Sequence, residues 1–348
     1  MTLIEICIQD NELWDKTIRS LPVYEPFYLN AYVKALAGHN KDSEPVLLYY
    51  ENGDVKAATV MFRRDIALSQ PFTGKIPENT YFDLSSPYGY GGFIYNTDSF
   101  PEEVQQAYNQ YCLETGYICE FLRFNLFTDY AQRYDGYAVS PMVNVVCDLS
   151  GSWEDVFGRY QGKTRQKVRK IQKSGWSVRV GNTKEDIDTF LPVYYDTMDR
   201  NDARSMYYFD KEFFETLHNL GGPIYYFFAE KEGKVGAVNL LIGGNENTYC
   251  FLSSTSREYL KESPNYLLMS EMIAWSHANG FKKFVIGGGY GSNDDLLRFK
   301  KGFAPEGLYD FYIGNKIFNQ EIYNKLLEIR REAGELDENS NFFPLYRA

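Results

Sequence analysis

A strand–turn–strand pattern occurs twice in this chain, and that repetition restricts the available folds more than any other feature. Leu48–Phe62 and Phe228–Ile242 align so that Gly53 falls on Gly233, Val55 on Val235, Ala57 on Ala237 and Phe62 on Ile242. Each segment reads as two apolar strands joined by a tight turn, with glycine supplying the backbone freedom the turn needs. Short aromatic-rich helical stretches precede them, at Tyr28–Leu36 and Phe209–Leu220. Downstream, Pro101–Thr115 reads as a helix ending at Gly116, followed by an apolar strand Ile118–Phe124. Pro264–Asn279 reads the same way, ending at Gly280 and followed by Lys283–Ile286. The doubled order predicts an α+β protein of two similar domains, at residues 1–150 and 151–335. A loose tail is expected at 336–348.

Between the halves lies a run of seven basic residues with no acid among them: Arg159, Lys163, Arg165, Lys167, Arg169, Lys170 and Lys173. Val168 and Ile171 sit at helical spacing and Gly175 stops the run, so residues 159–174 should enter the second domain as a basic helix. The whole chain carries a net charge of −11, which disfavours a general DNA or RNA binder. Positive charge gathered on so acidic a protein instead suggests local anion recognition. The first residues, Met1–Trp14, lack a basic leader, and no apolar run approaches the roughly 20 residues of a membrane-spanning helix. Five scattered cysteines without a CxxC pair fit reduced thiols, and three isolated histidines offer no metal-ligand spacing. The expectation is a cytoplasmic protein with no integral membrane segment, no bound metal and no tightly held cofactor.

Six segments in order resemble the Fem-type transferases and their tandem GNAT relatives. They are Ser86–Gly92 (SPYGYGG), Gly162–Lys170 (GKTRQKVRK), Tyr195–Arg200 (YDTMDR), Ser263–Leu268 (SPNYLL), Phe284–Gly289 (FVIGGG) and Leu297–Pro305 (LRFKKGFAP). The resemblance runs from about Leu29 to Tyr323. It implies two tandem GNAT-like domains, each a mixed, largely antiparallel sheet flanked by helices, with a substrate channel at their junction. It also implies transfer of an activated acyl group to an amine. Our first expectation from sequence is an acyl-CoA-dependent N-acyltransferase, with acyl-CoA as co-substrate, acting on a phosphate-bearing envelope or polysaccharide sugar precursor. The acceptor would be a small molecule or a lipid- or nucleotide-linked sugar. One alternative is an aminoacyl-tRNA-dependent transferase that builds peptidoglycan bridges. Another is a non-catalytic module binding anionic glycolipid or RNA. The usual GNAT phosphate loop is missing; Lys261–Tyr266 (KESPNY) stands in its place.

For the donor, Ser253, Ser254 and Thr255 are expected at the end of a strand. Ser263 should cap the next helix, whose first turn carries Asn265 and Tyr266. Unpaired N–H groups at such a helix end suit an anion. For the acceptor, the resemblance and the charge pattern point to Tyr88, Gly89, Lys163, Arg165, Arg200, Arg204 and Lys300. Amine acylation needs a neutral amine, and Asp196, Asp199, Glu230, Asp294 and Asp310 are carboxylates able to take its proton. The catalytic candidates are Asp199, Asp294 and Lys300. Gly287–Gly291 fails the nucleotide-loop pattern and reads as a turn that lets substrate approach the backbone. After it, Asn293 or Asp294 can cap a short helix in which Leu296, Phe299 and Phe303 form the buried stripe and Lys300 flanks it.

Overall fold

A computed structural model describes residues 3–39, 43–289 and 294–348. The chain forms two compact units, residues 1–141 with 311–348 and residues 142–310. In chain order the first unit begins with β1 (Leu3–Cys7), α1 (Asn11–Arg19), α2 (Asn30–His39), β2 (Glu44–Asn52), β3 (Val55–Asp65), β4 (Phe82–Ser85) and β5 (Ile94–Tyr95). It continues with α3 (Glu102–Thr115), β6 (Tyr117–Arg123) and α4 (Tyr130–Arg133). Strand β7 (Tyr137–Asp148) leads into the second unit, which holds α5 (Trp153–Gly158), α6 (Gly162–Lys173), β8 (Ser177–Gly181), α7 (Lys184–Arg200) and α8 (Lys211–Leu217). There follow β9 (Ile224–Lys231), β10 (Lys234–Gly243), β11 (Asn247–Thr255), α9 (Asn265–Ala278), β12 (Lys283–Gly287) and α10 (Asp295–Lys301). Strand β13 (Leu308–Ile317) and α11 (Gln320–Glu332) return the chain to the first unit.

The repeat is real in three dimensions. The first unit orders its strands β1-β2-β3-β4-β6-β13, and the second β8-β9-β10-β11-β12-β7. In each unit one neighbouring pair is parallel, β4 with β6 and β11 with β12, and the other neighbours run antiparallel. The two predicted turns hold Gly53 and Gly233 at φ +57° and +77°, a backbone region that L side chains rarely adopt. Gly116 ends α3 in the left-handed conformation, as the sequence suggested. Each sheet buries its own core. Tyr50, Met61, Tyr108 and Leu122 belong to the first, and Phe227, Leu241, Leu268 and Phe284 to the second.

The chain is divided differently from the expected 1–150 and 151–335. The strand beside β6 is β13, which arrives after the second unit, and the strand beside β12 is the second part of β7, which precedes it. The last residues are not a loose tail either. Tyr346 is fully buried, and its hydroxyl donates to Asp83, which also accepts from Arg64 and Arg347. Arg330 donates to the carbonyls of Tyr346 and Ala348. A buried carboxylate needs such partners, and this one draws the chain end into the core.

Candidate active site

In the second unit the parallel pair comes apart. β11 and β12 are in register at Asn247–Lys283, Thr248–Phe284 and Tyr249–Val285, where the register ends among the described residues. From there β11 stays with β10 to its end, while β12 stays with β7. A bulge lies at the parting: Leu240 of β10 faces Leu252 and Leu241 faces Cys250, leaving Phe251 as the extra residue. Such a bulge bends a strand away from its former partner. The result is an opening with Cys250–Thr255 on one side and Gly287–Gly289 on the other.

Lys300 reaches into this opening. Asp294 caps α10 by accepting from the Leu297 N–H at 2.6 Å, which fixes the turn of helix that carries the lysine. Leu297, rather than the expected Leu296, is the buried apolar residue of α10, because the helix starts at Asp295 and turns that position inward. Lys300 lies three residues on, over the same face, so its stem runs inward. Its ammonium donates to the Gly288 carbonyl at 2.7 Å. Desolvation pulls the Lys300 pKa down, opposed by Cys250 and by Asp294. Burial in turn pushes the Cys250 thiol up to about 11, with Lys300 opposing. The Lys300 ammonium thus bonds the residue that directly follows β12. Gly287, at φ +92°, makes room for it: a Cβ there would lie 3.3 Å from the Lys300 nitrogen. Lys300 is therefore a half-buried cation beside backbone that a substrate can approach. That is an arrangement suited to stabilising an oxyanion.

The donor candidates divide. Asn265 donates to the hydroxyls of Ser253 at 2.9 Å and Thr255 at 3.3 Å, and accepts from the fully buried Asn239 at 2.9 Å. These three predicted residues are brought together at the end of β11. Ser254 points to the opposite face and is buried, and Tyr266 packs against Phe299 and Phe303. Asn239 was missed in the sequence, where it is one polar residue in an apolar strand. Ser263 does not cap α9. Its backbone takes a left-handed φ of +59°, which turns its hydroxyl to donate to the Leu260 carbonyl, and α9 begins at Asn265.

The acceptor candidates fall in both units. Tyr88 and Gly89 belong to the first, where the Tyr88 carbonyl accepts from Tyr32 and Gly89 lies against the Phe27 ring. In the second, Arg200 donates to the Thr255 carbonyl at 3.0 Å and to Asp196, so it holds the end of β11. Arg165 donates to the carbonyls of Gly158 and Tyr160, and so ties α6 to α5. Lys163 and Arg204 are exposed. The carboxylates also have structural partners: Asp199 accepts from Tyr208, Asp196 from the Arg257 N–H, and Glu230 from Arg179. Tyr290, Gly291 and Asn293 lie outside the described residues. Among the described residues no group of acidic, histidine and cysteine side chains is arranged to hold a metal, and no helix is long and apolar enough to cross a membrane.

Residues 158–301 match the family model of the acetyltransferase (GNAT) domain. The second unit thus carries a GNAT domain, an acyl-transferring class. Over 198 residues the chain is 23% identical to the UDP-N-acetylmuramoylpentapeptide-lysine N(6)-alanyltransferase of Weissella viridescens, covering 55% of this chain and 57% of that protein. The matched stretch therefore spans little more than half of that relative. The crystal structure of FemX superposes with a TM-score of 0.70 at 14% identity, covering 93% of this chain and 99% of that one. The structure of L-PGS from Bacillus licheniformis gives 0.58 at 16% identity, covering 92% and 96%. The chain is thus similar in fold to FemX, and residues 158–301 carry its GNAT domain.

Proposed function

We propose that this chain is an aminoacyltransferase that moves an aminoacyl group from aminoacyl-tRNA to an amine of a nucleotide- or lipid-linked peptidoglycan precursor. This reverses the order preferred from sequence, where acyl-CoA came first. One observation carries the change. An acyl-CoA-dependent GNAT domain needs free N–H groups between β11 and α9 to hold the pyrophosphate. Here several of those donors are engaged within the protein. Ser256 N–H bonds Gly236, Arg257 N–H bonds the Asp196 carboxylate, and the N–H groups of Glu262 and Ser263 bond Tyr259. Glu262 adds negative charge to the segment, anchored by Trp176 at 2.9 Å and Lys231 at 2.8 Å. The alanyl transfer named for the Weissella relative agrees with this reading.

In the proposed reaction the acceptor amine attacks the ester carbonyl beside Lys300. The new C–N bond forms, the ester C–O bond breaks, and the amine proton leaves with the released hydroxyl. Lys300 stabilises the oxygen of the tetrahedral intermediate. The test is to offer the chain an alanylated RNA or acetyl-CoA with UDP-N-acetylmuramoylpentapeptide and to weigh the acceptor by mass spectrometry. An alanyl adduct is expected from the RNA arm. An acetyl adduct from the other arm alone would overturn the assignment.

A further inference from the structure

The chemistry assigned above does not use the outer face of α6, the most concentrated positive surface in the sequence. At 100° per residue, Lys163, Gln166, Arg169, Lys170 and Lys173 fall within about 120° of one another. Thr164, Val168 and Ile171, the buried residues of α6, occupy the opposite side. Lys163, Gln166, Arg169, Lys170 and Lys173 are all exposed. Gln166, Arg169, Lys170 and Lys173 also line a surface groove of about 370 Å³ with Ser174.

These cations differ from many others of the same unit. Arg159, Arg179, Arg200, Lys231, Arg257 and Lys282 each sit against a carboxylate. Among the described residues, Lys163, Arg169, Lys170 and Lys173 form no ion pair, although the chain has 47 acidic residues to draw on. Keeping four cations unneutralised on one helix face is costly unless something anionic covers them. From Lys163 to Lys173 the stripe is about 15 Å long, a length that several successive phosphates of a nucleic-acid strand would span.

We infer that this face of α6 docks the phosphate backbone of an RNA. The inference rests on the aminoacyl-tRNA reading above and names where that donor is held. An anionic membrane surface is the competing occupant, and α6 lacks what it would use. Interfacial helices set large apolar side chains beside their cations. The apolar residues of α6 are Val168 and Ile171, and both are buried in the unit's own core.

The probe is an unacylated RNA hairpin with the stem of a tRNA acceptor arm, titrated against the full chain at several salt concentrations. Lys170→Gln/Lys173→Gln should lower the slope of log K against log salt by about 1.5–2 and weaken binding at least tenfold near physiological salt. Lys170→Arg/Lys173→Arg should restore both. An unaltered melting temperature is expected for these exposed positions. An unchanged slope in the Gln variant would overturn the proposal. So would unchanged RNA binding together with lost binding to phosphatidylglycerol-containing vesicles, which would assign the face to a membrane. Because the hairpin carries no aminoacyl group, the two readings can fail separately. RNA docking through α6 without any alanyl transfer defeats the enzymatic reading alone, whereas transfer with a salt slope indifferent to α6 defeats only the docking.

Discussion

The parallel strand pair of the first unit is zipped shut, and its counterpart in the second unit is open. β4 and β6 are in register from Phe82–Tyr117 to Ser85–Phe121, and the chain after β4 then continues the seam. Ser86 N–H donates to the Phe121 carbonyl at 2.9 Å, Gly91 N–H to Arg123 at 2.6 Å, and Asn125 N–H back to Gly91 at 2.8 Å. The Ser86 hydroxyl accepts from the Arg123 N–H at 2.9 Å. This closure needs glycine at position 91, where a Cβ would lie 2.8 Å from that of Ser86. Within the first unit the segment Ser86–Gly92, which sequence resemblance offered for acceptor binding, closes the position equivalent to the one that stays open in the second. At this seam the two copies of one fold differ in a handful of backbone hydrogen bonds and in the bulge at Phe251, which close one pair and leave the other open. The first unit uses its buried polar groups to hold itself together instead.

The largest effect should come from breaking that first unit. Asp83 is fully buried and accepts from Arg64, Arg347 and Tyr346. Asp83→Asn leaves two guanidinium groups without their counter-charge, and we expect a loss of about 3–5 kcal/mol in chemical denaturation. A loss below about 1 kcal/mol would mean that solvent already screens the cluster, as it does surface pairs.

Next in size is the open site. Lys300→Ala should lower turnover by ~10- to 100-fold, about 1.4–2.8 kcal/mol of barrier, with little change in stability. Lys301→Ala should do much less, because α10 directs Lys300, not Lys301, to Gly288. Steady-state kinetics on the two variants make the comparison, and equal small effects would move the site away from α10.

The smallest effect concerns pH. Burial raises the Glu120 carboxyl to about 7, partly offset by hydrogen bonds from Tyr108 and Tyr134. A folded pKa above the unfolded one means that the stabilisation is complete below the ordinary carboxylate range and is lost as pH rises through about 7. The slope within that window is at most about 1.4 kcal/mol per pH unit. Glu120→Gln should flatten this part of the pH–stability curve, measured by thermal melts. An unchanged slope would assign it to other groups.

How much of this the sequence carried follows from which physical signals are local. The paired strands, their glycine turns and the helix stops at Gly116 and Gly175 depend on neighbours, so periodicity and backbone freedom revealed them. The exchange of β7 and β13 depends on distant pairing. Both strands are largely half-exposed along their length, so neither stood out as apolar. The packing of the chain end was not legible because the buried Tyr346 and the half-buried Arg347 follow a polar stretch and find Asp83 only through the fold. At the site, the Asp294 cap and the inward Lys300 were legible from helical spacing. The bulge at Phe251 was not, since Cys250, Phe251 and Leu252 read as an uninterrupted strand.

The central claim is that only the second unit's open pair receives the donor. Hydrogen exchange with a non-hydrolysable aminoacyl-RNA analogue tests it most directly. Donor binding should slow exchange at Cys250–Thr255 and Gly287–Gly289, where backbone faces the opening. Phe82–Ser85, already paired on both sides, should not change. Protection of Phe82–Ser85 and Ser86–Gly92, with none along β11, would contradict the account.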